Sequence, residues 1–254
     1  LIFIQAAKKK GFQVAAVAIL DETQKRIDTL ADSVCWVHLG QLSRIIRFFK
    51  EQKVSQCVMA GGVKKVKVFK ELFHADLEMI KLLGSLKDRT DTSILDAICR
   101  RFKEEGIEVV CAATFLEDLL VPQGELTKTR ISAKIQDDIK FGRIIAREIA
   151  RMDIGLTVVV KDKVIVAVEA VEGTDQAIRR AAALAGEGCV AVKMARPNQD
   201  MRFELPVIGL ETVSVLKECK IAAMAVQAKK TLLFDKEKVI EEADRAGIAI
   251  LGIE

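Results

Sequence analysis

The stretch from Lys193 to Pro206 carries the densest set of chemically competent side chains in the sequence. It has neither a helical nor a strand period, yet it lies between regular elements. Loops of that length inside compact domains are usually functional or disordered. Met194, Met201, Phe203 and Leu205 interleave with its charges, which is not a disordered composition. Lys193, Arg196 and Arg202 can neutralise phosphate oxygens, while Asp200 and Glu204 can hold a metal ion or orient a water. Fully extended, four residues span up to ~14 Å, so those two carboxylates share one ion only if the loop folds back. A solvated, salt-bridged crossing would use the same residues without any chemistry.

Two further segments carry groups of this kind. Glu169, Glu172 and Asp175 fall within the run Val168-Glu169-Ala170-Val171-Glu172-Gly173-Thr174-Asp175, which passes from a strand through a glycine turn into a helix. Thr174 serves as an N-cap and Asp175 favours the positive helix start, which accounts for both structurally. Three carboxylates beside a helix N-terminus also suit a hard cation and its bound phosphate. Gly61 and Gly62, after a short apolar run, let the backbone approach a phosphate, although glycine pairs also make ordinary tight turns. The glycines match neither a Walker A loop nor the dinucleotide fingerprint.

The chemistry is narrowed by what the second half lacks. Both histidines, His38 and His74, lie in the first half. A zinc site of histidines and a Ser-His-Asp arrangement in the second half are therefore disfavoured, leaving carboxylates, Lys, Arg or a hard metal for any hydrolysis there. Cys35, Cys57, Cys99, Cys111, Cys189 and Cys219 form no Cys-x-x-Cys pair and sit mostly in apolar runs, as free thiols of a reducing compartment do.

Elements that position these groups alternate between strand and helix. Phe12–Ile19, Val34–Leu39, Gln56–Ala60 and Ile107–Cys111 read as strands; 1–10, 41–53, 70–83 and 93–105 read as helices. The pattern lapses around Val121–Ile131, where Pro122, Gly124 and a polar basic stretch read as a linker. Beyond it come a helix over 133–151, strands 157–160 and 164–168 joined as a hairpin, a helix over 174–184 and a strand over 189–192. After the loop the chain continues as helix 210–217, strands 222–226 and 231–234, helix 236–246 and strand 248–251. The expectation is an α/β protein of two α/β domains, 1–131 and 132–254, the first Rossmann-like, with a ligand cleft between them.

Half of the 254 residues are apolar and 30% are charged, which excludes disorder, and no apolar run approaches the ~18 residues of a membrane span. A net charge of +4 is too slight for a nucleic-acid binder. Residues 1–131 hold 21 basic and 17 acidic side chains and residues 132–254 hold 19 of each, so the excess belongs to the first half. Part of it is local, in Lys64, Lys65, Lys67 and Lys70 alternating with Val66, Val68 and Phe69. That pattern can rest on an anionic membrane surface or form a solvated strand or loop face.

Taken together, Met59-Ala60-Gly61-Gly62-Val63, Asp153-Ile154-Gly155, Val168 through Asp175, and Lys193 through Pro206 onward to Ile208-Gly209 make the sequence resemble the UDP-2,3-diacylglucosamine pyrophosphatase family, of the lipid X-forming type without a calcineurin-like metal centre. Order and spacing agree over essentially the whole chain. The resemblance implies hydrolysis of UDP-2,3-diacylglucosamine to UMP and 2,3-diacylglucosamine 1-phosphate in lipid A synthesis, dependence on Mg²⁺, and a two-domain fold. It also implies a further strand and Gly-rich loop ahead of Leu1. The family's catalytic Asp sits in an Arg-x-Asp-Leu-Pro run; Arg202-Phe203-Glu204-Leu205-Pro206 places Glu204 there, one methylene longer. Leu156 replaces a frequent Gln and Thr92 a frequent acid.

On this reading Glu204, Lys193 and Arg202 are catalytic, and Gly61, Gly62, Thr174, Arg196 and Gln199 contact substrate. Glu169, Glu172, Asp175 and Asp200 are the expected Mg²⁺ ligands. Metal, Lys and Arg would neutralise the pyrophosphate before water attacks, with Glu204 binding the ion or placing its water. The partners are the acylated UDP-sugar and the inner-membrane surface, approached peripherally from the cytoplasm with Lys64–Lys70 as the contact. Nucleic acid is not expected, and a homodimer is admitted. A non-catalytic sugar-nucleotide or lipid carrier and a Rossmann-type oxidoreductase are the rival readings; chelator-sensitive turnover and NADH binding separate them.

Overall fold

A computed structural model describes residues 1–61, 74–88, 90–111, 113–197, 200–203 and 205–254, with the backbone but not the side chains of residues 91 and 92. The chain divides into two units: Leu1–Leu116 with Met201–Glu204, and Glu117–Asp200 with Leu205–Glu254. Gly62, the Lys64–Lys70 patch, Gln199 and Glu204 lie outside the described residues.

In the first unit, helices separate strands that pair in parallel. The elements run α1 (Ile2–Lys9), β1 (Ala15–Ile19), α2 (Ile27–Leu30), β2 (Ser33–Val37), α3 (Leu42–Glu51), β3 (Gln56–Cys57), α4 (Leu77–Gly84), α5 (Asp91–Glu104) and β4 (Glu108–Val109). β1 pairs with β2, and β3 with β4, as two separate parallel pairs among the described residues. Asp76 starts α4 by accepting the Met79 N–H at 2.9 Å, and its other oxygen accepts the Ser43 N–H at 2.7 Å. One carboxylate thus ties the starts of two helices. Leu42, Ile46 and Phe49 of α3 meet Cys99 and Phe102 of α5 in the core, and Phe203 is buried in the same cluster.

The second unit is built on one six-stranded sheet. Its elements are β5 (Gly124–Glu125), α6 (Ala133–Arg151), β6 (Thr157–Lys161), β7 (Val164–Val168), α7 (Thr174–Ala185), β8 (Val190–Lys193), β9 (Val207–Ile208), α8 (Leu210–Glu218), β10 (Ala223–Gln227), β11 (Leu232–Leu233), α9 (Lys236–Arg245) and β12 (Ala249–Ile253). The sheet order is β5-β12-β10-β8-β6-β7, parallel through β12, β10 and β8 and antiparallel elsewhere; β9 and β11 form a separate parallel pair.

Alternation along the strands sorts side chains between two cores. Val158, Val160, Val190, Val192, Ala223 and Ala225 pack with Ile139, Ala146 and Ile149 of α6 on one face. Val159, Ala191, Met224 and Val226 pack with α7, α8 and α9 on the other. Each fully buried valine contributes roughly 1.5–3 kcal/mol relative to exposure. Helix α6 lies close on the sheet because of Gly142, where a Cβ would stand 2.8 Å from methyls of both Val160 and Val192.

The Val121–Ile131 stretch, read from sequence as a linker, is tied to the second unit through the two-residue strand β5. Gly124 and Glu125 pair antiparallel with Gly252 and Leu251, Val121 is fully buried, and the buried Thr127 hydroxyl accepts the Ile250 N–H at 2.9 Å. The β6–β7 hairpin turns through Asp162 and Lys163, both with positive φ as a type I′ turn requires. Buried Asp138 of α6 accepts both their N–H groups, at 3.1 and 2.7 Å.

Candidate active site

Three helices of the second unit begin around one cavity. β7 and β8 run in the same direction, so α7, which follows β7, starts at the edge where β8 ends in Lys193. In open α/β sheets, ligands bind at the carboxyl ends of the parallel strands. A cavity of about 680 Å³ opens there, lined by Glu172, Gly173, Thr174 and Asp175 at the start of α7, and by Lys193. Gly209 and Glu211 at the start of α8 and Asp235 at the start of α9 complete its polar rim, over Met224 and Phe234.

Backbone donors point to an anion here. The N-cap of α7 is Gly173, not Thr174 as the sequence suggested, and that of α8 is Gly209; neither has a side chain to accept from the first N–H groups. A helix start without such a cap keeps donors available and carries partial positive charge. Gly173 holds φ at +84°, a conformation that lets the chain turn from the strand into the helix and that other residues adopt with strain.

Lys193 is 8% exposed, and its ammonium donates to the Thr174 Oγ1 at 2.6 Å. Burial lowers its pKa, while the nearby charges of Glu169 and Asp175 oppose that shift. An ammonium carries three donors, so one protein acceptor leaves two for a bound anion. Thr174 in turn donates to Glu169 Oε1 at 3.1 Å, and Glu169 Oε2 accepts the Leu156 N–H at 3.3 Å. Gly155 passes so close to this strand end that an added Cβ would lie 2.0 Å from the Glu169 carbonyl oxygen.

The structure therefore brings together Lys193, Glu169, Glu172, Thr174 and Asp175 from the sequence-derived set, in unequal roles. Glu172 pairs with Arg180 at 2.6 Å and accepts the Ala170 N–H at 3.1 Å. Its own backbone N–H, then Arg180, hold its carboxyl below the usual carboxylate range. Arg196 pairs with Asp153, Nε to Oδ1 at 2.8 Å. Arg202 belongs to the first unit, where it pairs with Asp96 at 2.9 Å and stacks over Phe203. Gly61, also in that unit, has a φ of +99°, and no atom of the described residues beyond its chain neighbours lies within 4 Å of where a Cβ would stand. Asp200 lies in the second unit and does not line this cavity.

Among the described residues, no three His, Cys, Asp or Glu side chains gather as a metal site. Mg²⁺ is usually held by one or two carboxylates together with substrate phosphates. Asp175 on the cavity wall fits that mode, and each Glu169 oxygen accepts one protein donor. Sequence reasoning missed Glu211 and Asp235, and it noted Gly209 at the end of a motif block without assigning it to the site.

Comparison with known proteins covers both units. The family model described as the LpxI N-terminal domain matches residues 1–119, and that described as the LpxI C-terminal domain matches residues 122–251. The UDP-2,3-diacylglucosamine pyrophosphatase LpxI of Caulobacter vibrioides is 31% identical over 229 residues, which cover 86% of this chain and 81% of the relative.

Proposed function

The chain belongs to the LpxI family, and from that premise we propose that it hydrolyses the pyrophosphate bond of UDP-2,3-diacylglucosamine to UMP and 2,3-diacylglucosamine 1-phosphate in lipid A biosynthesis. The observation that carries the reading at atomic scale is the buried Lys193 ammonium beside uncapped helix starts in one cavity. A pyrophosphate resists attack until its negative oxygens are neutralised, and preorganised donors in a water-poor site do this at little reorganisation cost. Lys193 and the first N–H groups of α7 and α8 take the phosphate oxygens. Glu204, in the Arg202–Pro206 run, is the carboxylate proposed to bind the ion or orient the attacking water.

Mg²⁺ is the proposed cofactor, held by Asp175 and the substrate phosphates. When bound it supplies positive charge against the pyrophosphate oxygens. The enzyme is proposed to work in the cytoplasm against the inner-membrane surface. No described helix is long and apolar enough to cross a membrane, which is consistent with peripheral docking. The test is UMP release from UDP-2,3-diacylglucosamine with Mg²⁺. Turnover abolished by chelator and restored by Mg²⁺ is expected; turnover indifferent to chelator removes the metal from the scheme, and binding without turnover makes the protein a carrier.

A further inference from the structure

Hydrogen-bond direction around Lys193 is fixed by chemistry. An ammonium can only donate, so the Thr174 Oγ1 must accept at 2.6 Å; the single Thr174 hydroxyl proton is then directed to the Glu169 carboxylate at 3.1 Å. The order is Lys193 to Thr174 to Glu169, the carboxylate oxygen being the nearer acceptor for the Thr174 proton. Thr157 Oγ1 lies 3.4 Å from the same hydroxyl. The far end of the chain is equally constrained: Glu169 Oε2 accepts the Leu156 N–H, and the Glu169 backbone N–H donates to the Thr157 carbonyl at 2.9 Å. The strap Asp153-Ile154-Gly155 lies against it where no side chain fits.

We propose that Glu169 is a positioning residue which, through Thr174, fixes the Lys193 ammonium in the cavity for the substrate's pyrophosphate. The inference rests on the pyrophosphate reading of the cavity. A lysine on four methylenes loses considerable rotamer freedom when held in one place, and a hydrogen-bonded anchor makes that placement persistent. Each Glu169 oxygen accepts one protein donor, from Thr174 and from Leu156, so the carboxylate is held in one orientation toward Thr174. Negative charge at Glu169 also supports the charged form of the buried ammonium.

The probe is inorganic pyrophosphate, titrated calorimetrically into the full chain in the presence of chelator, alongside UMP-release kinetics at varied Mg²⁺. Wild type is expected to bind pyrophosphate. Lys193→Met, Glu169→Gln and Thr174→Val are each expected to weaken binding roughly tenfold or more, the scale of a hydrogen bond to a charged group. Thr174→Ser, which keeps the hydroxyl, is expected to bind as wild type does. Adding Glu169→Gln to Lys193→Met is expected to weaken binding no further, because one route is removed twice.

The inference is overturned if wild type binds no pyrophosphate, if Glu169→Gln binds normally, or if the double variant shows the product of the single losses. A raised Mg²⁺ requirement in Glu169→Gln, with pyrophosphate binding in chelator intact, would instead make Glu169 a ligand. Should Glu169→Gln fail to fold, the Thr174→Val and Thr174→Ser pair decides the matter. Coupled pyrophosphate binding with no UMP release by wild type would retain the Glu169 assignment and reject the hydrolase reading.

Discussion

At the residue scale, Lys193 is kept where lysines rarely sit, in the protein interior. Burial lowers the Lys193 pKa below its ordinary value of 10.5. In the pH range between the lowered folded value and the unfolded one, the unfolded chain binds more protons, so this residue makes stability rise with pH there. Lys193→Met removes the buried charge and is expected to stabilise the fold at neutral pH by about 1 kcal/mol or more, read as a higher urea midpoint. A lower midpoint would mean that the Thr174 bond outweighs the desolvation of the ammonium. Activity that needs the ammonium charged is expected to fall on the alkaline side before the ordinary lysine range is reached. Sequence alone identified Lys193, Thr174 and Glu169 as chemically competent, because their types and their place at a strand–helix junction are local facts. It could not tell that Glu169 uses both oxygens on protein donors, since Leu156 approaches from thirteen residues earlier.

At the element scale, the strap before β6 and the end of β7 must pass each other with no side chain between them. Gly155→Ala would place a Cβ 2.0 Å from the Glu169 carbonyl oxygen, and the nearby atoms are mostly backbone. The expected cost is about 1–3 kcal/mol of stability, as for other overpacked sites, together with a larger loss of UMP release than of fold. Equal stability and activity in Gly155→Ala would show that the strap has room the structure does not give it. Regular elements were legible where local signals agreed. Ser132 accepting the Ile135 N–H and the apolar period through Ile139 and Ile149 delimit α6 at 133–151, as read from sequence. Strand β5 was not legible, because its partners Leu251 and Gly252 lie 126 and 128 residues away and it contributes two residues without an apolar pattern.

At the scale of the whole molecule, the chain forms two α/β units, with Met201–Glu204 grouped with the first and the flanking residues with the second. That excursion explains why the Lys193–Pro206 segment has no period: its residues serve two units in turn, Lys193 in the sheet of one and Phe203 in the core of the other. Basic excess in the first half motivates the membrane proposal. Binding to vesicles of anionic phospholipid is expected to weaken as salt rises and on neutralising Lys64, Lys65, Lys67 and Lys70; binding indifferent to both would reject those lysines as the contact. The central claim is narrower, that pyrophosphate is cleaved at the Lys193 cavity. Its most direct test is the rate of UMP release from UDP-2,3-diacylglucosamine at saturating Mg²⁺, measured for wild type and folded Lys193→Met side by side. Wild-type release with a loss of roughly 100-fold or more in Lys193→Met is predicted; absent release by wild type, or equal rates from the two proteins, would contradict it.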